Sequence, residues 1–275
     1  MMSSGALSRL SRHAALCIAL AALPWCARAQ GFGLTPGTVD LKFVPGRPVT
    51  FDLEFTNAGP TPIEMHTSIS DWGYDEKGEK IFPPSGTLPR SSANWVEVVP
   101  RTFTVPGNQS GKMRVVITPP AKAEGGYYCV VFAESKPVLS RQATKEEEAI
   151  YANFRMGALV MLTAEHTERY KIEIGTPKLT PPTASHPLSV QVPVENQSNT
   201  HIFARAEMAV LDANRKPVAR MASNQLRLLP EQKGSLDLTW SGAIPAGSYT
   251  GLLTVVYADN KLSTQEVPFT VEASK

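Results

Sequence analysis

The side chains that could catalyse a reaction or bind a metal are few and scattered in this chain of 275 residues. Beyond the first thirty residues the histidines are His66, His166, His186 and His201. No two of them have the i, i+2 or i, i+4 spacing that places two ligands of one metal ion on a single strand or helix. The sequence therefore predicts no metal site.

Serine and carboxylate patterns do not indicate an enzyme. The segment Gly107–Gly111 places Ser110 one position later than the Gly-x-Ser-x-Gly motif of a nucleophile elbow requires. The acidic residues between Asp71 and Glu79 do not reproduce a calcium-binding loop, and a solvated turn is the better interpretation. Phosphate-binding and dinucleotide-binding glycine motifs are absent. We expect a non-enzymatic protein with no catalytic residue and no cofactor.

Three tryptophans, Trp72, Trp95 and Trp240, lie beyond the first thirty residues. Large aromatic side chains are commonly buried between the sheets of a β-sandwich, and this is the favoured interpretation. The alternative is that they are exposed and stack on sugar rings, which would make the protein a glycan binder.

The first 29 residues have the pattern of a cleaved signal peptide. Two arginines precede the apolar run Ala14–Trp25, and Ala27–Ala29 supplies small residues at the spacing that a signal peptidase accepts. Cleavage is predicted before Gln30. The apolar run is shorter than a transmembrane helix. We therefore expect an exported, periplasmic protein with no transmembrane segment in the mature chain.

Removal of residues 1–29 changes the formal charge from +2 to about −1, because it takes away three arginines and no acidic residue. A nearly neutral chain lacks the basic surface that binds nucleic acid. Cys129 is then the remaining cysteine, and its apolar neighbours Tyr127–Phe132 predict a buried core residue with no disulfide.

From Gly31 onward, short apolar strands alternate with turns every 8–12 residues, which is typical of an all-β sandwich. Val49–Phe55 has apolar side chains at alternate positions, and so does Ile63–Ile69. The two strands are separated by the turn Asn57–Pro60, and we predict that they pair as a hairpin.

The same order of landmarks occurs twice in the chain. A long strand ends at an Asn-led turn, at Asn57 and again at Asn196, and in each copy a Gly-Tyr or Gly-Ser-Tyr step later opens a long strand. This internal repeat predicts two immunoglobulin-like β-sandwich domains in tandem, at 31–166 and 168–275.

A polar segment, Lys136–Ala149, separates the copies and is predicted to be a mobile loop. The apolar segment Ile150–Thr163 that follows is predicted to be a strand of the first sandwich. A strand after such a loop either closes the sandwich or lies at a sheet edge, where its unpaired backbone groups can accept a strand of a partner.

The chain from residue 31 to residue 275 resembles the periplasmic pilus chaperones. The resemblance rests on Asn57 at the end of a long strand, on Val105–Gly107, Met113–Val116 and Tyr127–Phe132, and on a long loop before the apolar strand at 154–162. In that family the corresponding last strand lends alternating apolar side chains to an incomplete pilus subunit.

This resemblance implies an exported protein as partner and five partner-binding residues: Phe154, Met156, Leu159, Val160 and Met161. The family holds the terminal carboxylate of the subunit with an arginine and a lysine, and the matching positions here are Pro36 and Ala158.

The segments Gly33–Pro36 and Val44–Gly46 are also similar to the WxL-interacting cell-envelope proteins. We therefore predict a chaperone-like protein that binds another exported protein by β-strand addition, with a cell-envelope adaptor for wall polymer or surface glycan as the alternative.

Overall fold

The computed structural model describes residues 31–141, 150–183 and 185–273, and the predicted signal peptide lies outside them. Strands and one short 3-10 helix are the regular elements of the described residues, as predicted for an all-β protein, and they form two immunoglobulin-like sandwiches in tandem. The strands of the first are β1 (Phe32–Thr35), β2 (Thr38–Phe43), β3 (Val49–Asn57), β4 (Ile63–Ser70), β5 (Gly73–Tyr74), β6 (Lys80–Ile81), β7 (Val96–Val99), β8 (Thr102–Val105), β9 (Gln109–Ile117), β10 (Gly126–Ser135), β11 (Val138–Arg141), β12 (Ile150–Ala152) and β13 (Arg155–Ala164). A short 3-10 helix, Ala93–Trp95, precedes β7.

The strands of the second sandwich are β14 (Ile172–Ile174), β15 (Lys178–Thr180), β16 (Leu188–Asn196), β17 (Ile202–Leu211), β18 (Pro217–Ala222), β19 (Leu226–Leu228), β20 (Lys233–Trp240), β21 (Gly247–Tyr257) and β22 (Lys261–Val271). No helix among the described residues is long and apolar enough to cross a membrane.

Each sandwich consists of two facing sheets. In the first, one sheet has the order β1-β3-β9-β7 and the other has the order β2-β13-β10-β4-β8. In the second, β16 pairs with β20 on one side and with β14 and β15 on the other, while the facing sheet contains β18 and β19 beside β17, followed by β21 and β22. The strands thus exchange sheets along the chain, as in other immunoglobulin-like sandwiches.

Strand β3 shows how alternation builds the first core. Leu53 and Phe55 are fully buried. Asp52, which alternates with these inward-facing residues along the strand, points to solvent and pairs with Arg114 on β9. The predicted hairpin of β3 with β4 is wrong, because β3 pairs with β1 and β9 while β4 pairs with β8 and β10 in the facing sheet. The connection crosses from one sheet to the other.

Asn57 fixes this crossing with its side chain, which is 1% exposed. Its Nδ2 donates to the carbonyl oxygens of Thr61, Val105 and Pro106 at 2.8, 3.2 and 3.2 Å, and its Oδ1 accepts the N–H of Gly59 at 3.0 Å. One side chain therefore satisfies backbone groups from two turns, the one after β3 and the one before β9, that would otherwise be buried without partners.

Asn196 repeats this arrangement in the second sandwich. Its Nδ2 donates to the carbonyl oxygens of Thr200 and Leu228, both at 2.9 Å, and its Oδ1 accepts the N–H of Ser198 at 2.9 Å. The strand that Asn196 ends, β16, pairs with β20 as β3 pairs with β9. The internal repeat predicted from the Asn-led turns is thus present in the hydrogen bonding and in the pairing.

The segment predicted to be a mobile loop is not loop throughout. Strand β11 pairs antiparallel with β12, so that Val138 lies opposite Ala152 and Arg141 lies opposite Ile150. Residues 142–149 lie outside the described residues. Strand β11, which lies within the segment Lys136–Ala149, was not predicted from its polar sequence.

Buried acidic and sulfur side chains have structural roles. Asp71, wholly buried, accepts the N–H groups of Gly86 and Leu88 at 3.1 and 2.8 Å and so holds the long crossing segment together. Asp75 caps the β5–β6 turn by accepting the N–H of Lys77 at 2.9 Å. The predicted solvated turn is therefore present at Asp75, but its assignment to Asp71 is wrong because Asp71 is buried. Cys129 has no exposed surface, as predicted, and burial raises the pKa of its thiol to about 12.

Candidate binding edge of the first sandwich

Strand β13 is paired unequally on its two sides. Its antiparallel ladder with β10 begins at Arg155, opposite Glu134, and continues to Thr163. Its parallel ladder with β2 begins only at Leu159, opposite Thr38. Residues 155–158 therefore have a paired strand on one side and, among the described residues, none on the other. We call these four residues the open half of β13.

The direction of the backbone groups shows which of them face the open side. The carbonyl of Phe154 accepts the N–H of Ser135 in β10, whereas the N–H of Leu159 donates to the carbonyl of Gly37 at the start of β2. Successive residues of a strand direct these groups to alternate sides. The N–H and C=O groups of Arg155 and Gly157 consequently face away from β10, ahead of the point where β2 begins.

The five residues predicted to bind a partner fall on the two faces of this strand. Phe154, Met156 and Val160 point into the first core, whereas Leu159 and Met161 point outward, into a cluster covered by Trp72. Leu159, Val160 and Met161 are 8%, 0% and 1% exposed. Strands β2 and β10 pair with both edges of Leu159, Val160 and Met161, whereas Met156 lies ahead of the point where β2 begins to pair, directly after Phe154.

Phe154 and Met156 lie where the first core opens between its two sheets. The centroid of the Phe154 ring is 4.3 Å from that of Phe32 on β1. The side chains of Phe32, Phe154 and Met156 are half-buried and pack against the first core. Among the described residues, β1 pairs only with β3 and is therefore an edge strand of its sheet. The opening thus lies between two sheet edges, β1 in one sheet and the open half of β13 in the other. Apolar surface and unpaired backbone groups meet at the same place.

The outer face of the open half carries Arg155 and an aromatic cluster. The guanidinium carbon of Arg155 is 3.6 Å from the ring centroid of Phe132, and Phe82, which is 43% exposed, packs edge-on against the same ring at 5.4 Å. A Cβ atom at Gly157 would lie 2.7 Å from the Phe132 ring. The Phe132 ring therefore occupies space that a side chain at position 157 would fill.

Sequence reasoning missed Arg155, Gly157 and Phe32. A glycine inside an otherwise apolar strand is a usable signal, since it often marks a close approach by another group. The position of Phe32 opposite Phe154 depends on a contact between distant parts of the chain, for which the sequence offers no local signal.

Trp72 lies between the two sandwiches and is 1% exposed. Its Nε1 donates to the carbonyl of Val160 at 3.2 Å, its ring packs edge-on against Tyr128, and the guanidinium carbon of Arg227 is 5.1 Å from the ring centroid. Leu229 of the second sandwich completes the cluster. Burial of Trp72 is confirmed, but it packs between the two sandwiches and not, as expected, between the two sheets of one sandwich. Stacking of this tryptophan on sugars is wrong because its side chain is buried.

The other two tryptophans are half-buried. Trp95 packs against Tyr127, with ring centroids 4.4 Å apart, and contacts the first core. Trp240 packs against the second core.

A network of hydrogen bonds joins the two sandwiches. The N–H of Gly126 donates to the carbonyl of Asn199 at 2.8 Å, and Nε2 of the buried His201 lies 3.2 Å from Oδ2 of Asp40 on β2. A Cβ atom at Gly125 would lie 2.3 Å from the Asn199 carbonyl oxygen. Beside this joint a cleft of about 550 Å³ separates the sandwiches, with Tyr74, Arg90 and Lys233 among its walls.

The described residues contain no group of three or more His, Cys, Asp or Glu side chains close enough to hold a metal ion. The open half of β13 is thus characterised by backbone groups, apolar surface and one arginine.

No family model matches the chain, and no curated protein is similar to it. Solved structures similar to it include the class 5 fimbriae chaperone CfaA, at 12% identity over 89% of this chain and 100% of that chain, with a TM-score of 0.47. The Escherichia coli chaperone DraB has 13% identity over 88% of this chain and 98% of its own, with a TM-score of 0.40. A chain in the structure of the Salmonella enterica SafA pilin in complex with the SafB chaperone has 12% identity over 88% of this chain and 96% of that chain, with a TM-score of 0.42. Fimbrial chaperones are therefore among the solved structures that this chain resembles.

Proposed function

We propose that this chain is a non-enzymatic, exported protein that binds another exported protein by β-strand addition at the open half of β13. The observation that supports the proposal is the difference between the two ladders of β13, of which one begins at Arg155 and the other at Leu159. A partner strand would pair with Arg155 and Gly157, and its apolar side chains would contact Phe154, Met156 and Phe32.

Two physical terms favour such binding. Unpaired N–H and C=O groups at a sheet edge are a ready template for another strand. The half-buried side chains of Phe32, Phe154 and Met156 additionally offer apolar surface that a partner removes from water, at roughly 25 cal/mol per Å². The backbone groups thus align a partner strand along β13, and the apolar surface favours an apolar inner face on that strand.

The compartment follows from the predicted signal peptide at residues 1–29. The sequence resemblance to pilus chaperones adds the class of partner, a subunit of a pilus or another surface structure in the periplasm. The role that we propose is therefore chaperone-like, with β13 as the contact strand.

Photo-crosslinking in the cells that produce the protein tests this proposal. A benzoylphenylalanine at position 155 samples the open half of β13, and the same residue at position 114 on β9 samples the outer face of the opposite sheet, where Arg114 is 65% exposed. We expect an exported β-rich protein to crosslink to position 155 and not to position 114. Equal crosslinking from both positions, or none from position 155, would contradict the proposal.

Proline variants separate loss of the edge from loss of the fold. Proline at position 155 removes an N–H that faces the open side, at the first residue of a strand, where proline is tolerated. Proline at position 156 removes an N–H that faces β10. We expect Arg155→Pro to lose partner binding and only about 1 kcal/mol of stability, through its partly exposed ion pair with Glu134. Met156→Pro should lose considerably more stability, because it removes a hydrogen bond of the ladder with β10.

A further inference from the structure

A row of ionisable side chains crosses the outer face of the second sheet of the first sandwich. Glu134 on β10 lies directly opposite His66 on β4 and opposite Arg155 on β13. The Nε of Arg155 is 3.2 Å from Oε1 of Glu134, and Nε2 of His66 is 3.8 Å from Oε2 of the same carboxylate. Ser68 also donates a hydrogen bond to Glu134. The row therefore ends in a cation at the open half of β13.

A strand added beside β13 extends this row by one residue. Side chains directly opposite each other on neighbouring strands point to the same face, and opposite charges there are favourable. The residue of the added strand opposite Arg155 consequently stands on the outer face, next to the guanidinium. From this placement, and resting on the proposed function, we infer that the partner strand carries an acidic side chain opposite Arg155.

The guanidinium of Arg155 is positioned before any partner arrives. It stacks on the Phe132 ring at 3.6 Å and pairs with Glu134, which is only 25% exposed, yet its own side chain remains 48% exposed. Gly157, next to it on the same face, has no side chain to compete for the space. Stacking and pairing reduce the conformational freedom that an arginine loses when it binds a carboxylate.

The opposite face of the added strand meets different chemistry. Phe154, Met156 and Phe32 line the opening of the core and favour apolar side chains. The structure thus specifies a partner strand that alternates apolar residues on its inner face with polar residues on its outer face, one of which is Asp or Glu.

Two short peptides with blocked ends test this inference. Both alternate threonine and valine, and their central outer-face residue is glutamate in one, Thr-Val-Thr-Val-Glu-Val-Thr-Val-Thr, and glutamine in the other. Fluorescence anisotropy of labelled peptides with the mature protein gives the two affinities. We expect the glutamate peptide to bind roughly two- to fivefold more tightly, the range of a favourable cross-strand charge pair, and the difference to shrink at high salt.

Two variants identify the side chain responsible. Arg155→Gln is expected to bind both peptides equally. Arg114→Gln is a matched control, because Arg114 also lies on a strand and pairs with a carboxylate on the next strand, Asp52, but on the opposite sheet; it is expected to keep the preference for glutamate.

Each outcome bears on a different claim. Equal binding of the two peptides by the unmodified protein overturns the acidic preference and leaves strand addition standing. A preference that survives in Arg155→Gln also overturns the inference, because another group must then select the carboxylate. Binding of neither peptide contradicts strand addition at this edge and the inference with it.

Discussion

Replacing Asn57 by alanine tests whether one side chain holds the crossing between the two sheets of the first sandwich. The change removes hydrogen bonds from Nδ2 to the carbonyl oxygens of Thr61, Val105 and Pro106, and it leaves the buried N–H of Gly59 without its acceptor. A neutral hydrogen bond contributes about 0.5–1.5 kcal/mol net, and an amide N–H buried without a partner adds a further penalty. Since Nδ2 has two hydrogens, we count three bonds and expect a loss of about 2–4 kcal/mol.

The same calculation applies to Asn196, which makes two bonds through Nδ2 and one through Oδ1. Asn196→Ala should therefore cost a similar amount in the second sandwich. The matched control is Asn214→Ala in an exposed turn, where the side chain makes no hydrogen bond to another described residue and the expected change is within about 0.5 kcal/mol.

Equilibrium unfolding in urea, followed by circular dichroism and by tryptophan fluorescence, measures all three variants. Because Asn57 and Asn196 lie in different sandwiches, the losses in the double variant should add. A cost for Asn57→Ala no larger than that for Asn214→Ala would refute the reasoning. A large cost for Asn57→Ala alone would refute the equivalence of the two copies.

Two further predictions concern buried side chains. Trp72→Ala should lower the free energy of unfolding by about 3–5 kcal/mol, as expected for a buried tryptophan, and Trp95→Ala should cost less because Trp95 is half-buried; equal urea midpoints would contradict this. Burial raises the pKa of Cys129 to about 12 from an ordinary 9.0, so the unfolded chain loses the thiol proton first and stability falls as pH rises above about 9, at up to about 1.4 kcal/mol per pH unit. Urea midpoints of wild type and Cys129→Ala measured at pH 8 and at about pH 10.5 should diverge, and a constant difference would show that the thiol does not contribute.

Much of the strand content was predictable because alternation is a local property of the sequence. The apolar side chains of β3 and β4 were assigned correctly to a core, and the Asp75 turn was placed correctly. The pairing of β3 with β4 was not predictable, since both sheets of a sandwich bury the same kind of alternating strand. Which sheet a strand joins depends on contacts such as those of Asn57, between residues far apart in the chain.

The candidate edge shows the same limit. The apolar residues of this segment are compatible both with burial in a core and with binding of a partner, and the sequence does not distinguish the two roles. The five residues predicted to bind a partner lie on two opposite faces of the strand in the structure. The parallel pairing of β2 decides which of them is covered, and it begins at Leu159 because Gly37 accepts the Leu159 N–H there. The sequence of residues 154–161 contains no signal for the position at which β2, a strand distant in sequence, starts to pair with β13.

Amide hydrogen exchange at the open half of β13 tests strand addition most directly. In the free protein the N–H groups of Arg155 and Gly157 should exchange rapidly, whereas that of Leu159, bonded to Gly37, should be protected. On addition of the glutamate peptide, protection of Arg155 and Gly157 should rise while that of Leu159 stays unchanged. Protection of Arg155 and Gly157 in the free chain, or no gain in their protection on binding, would contradict the account.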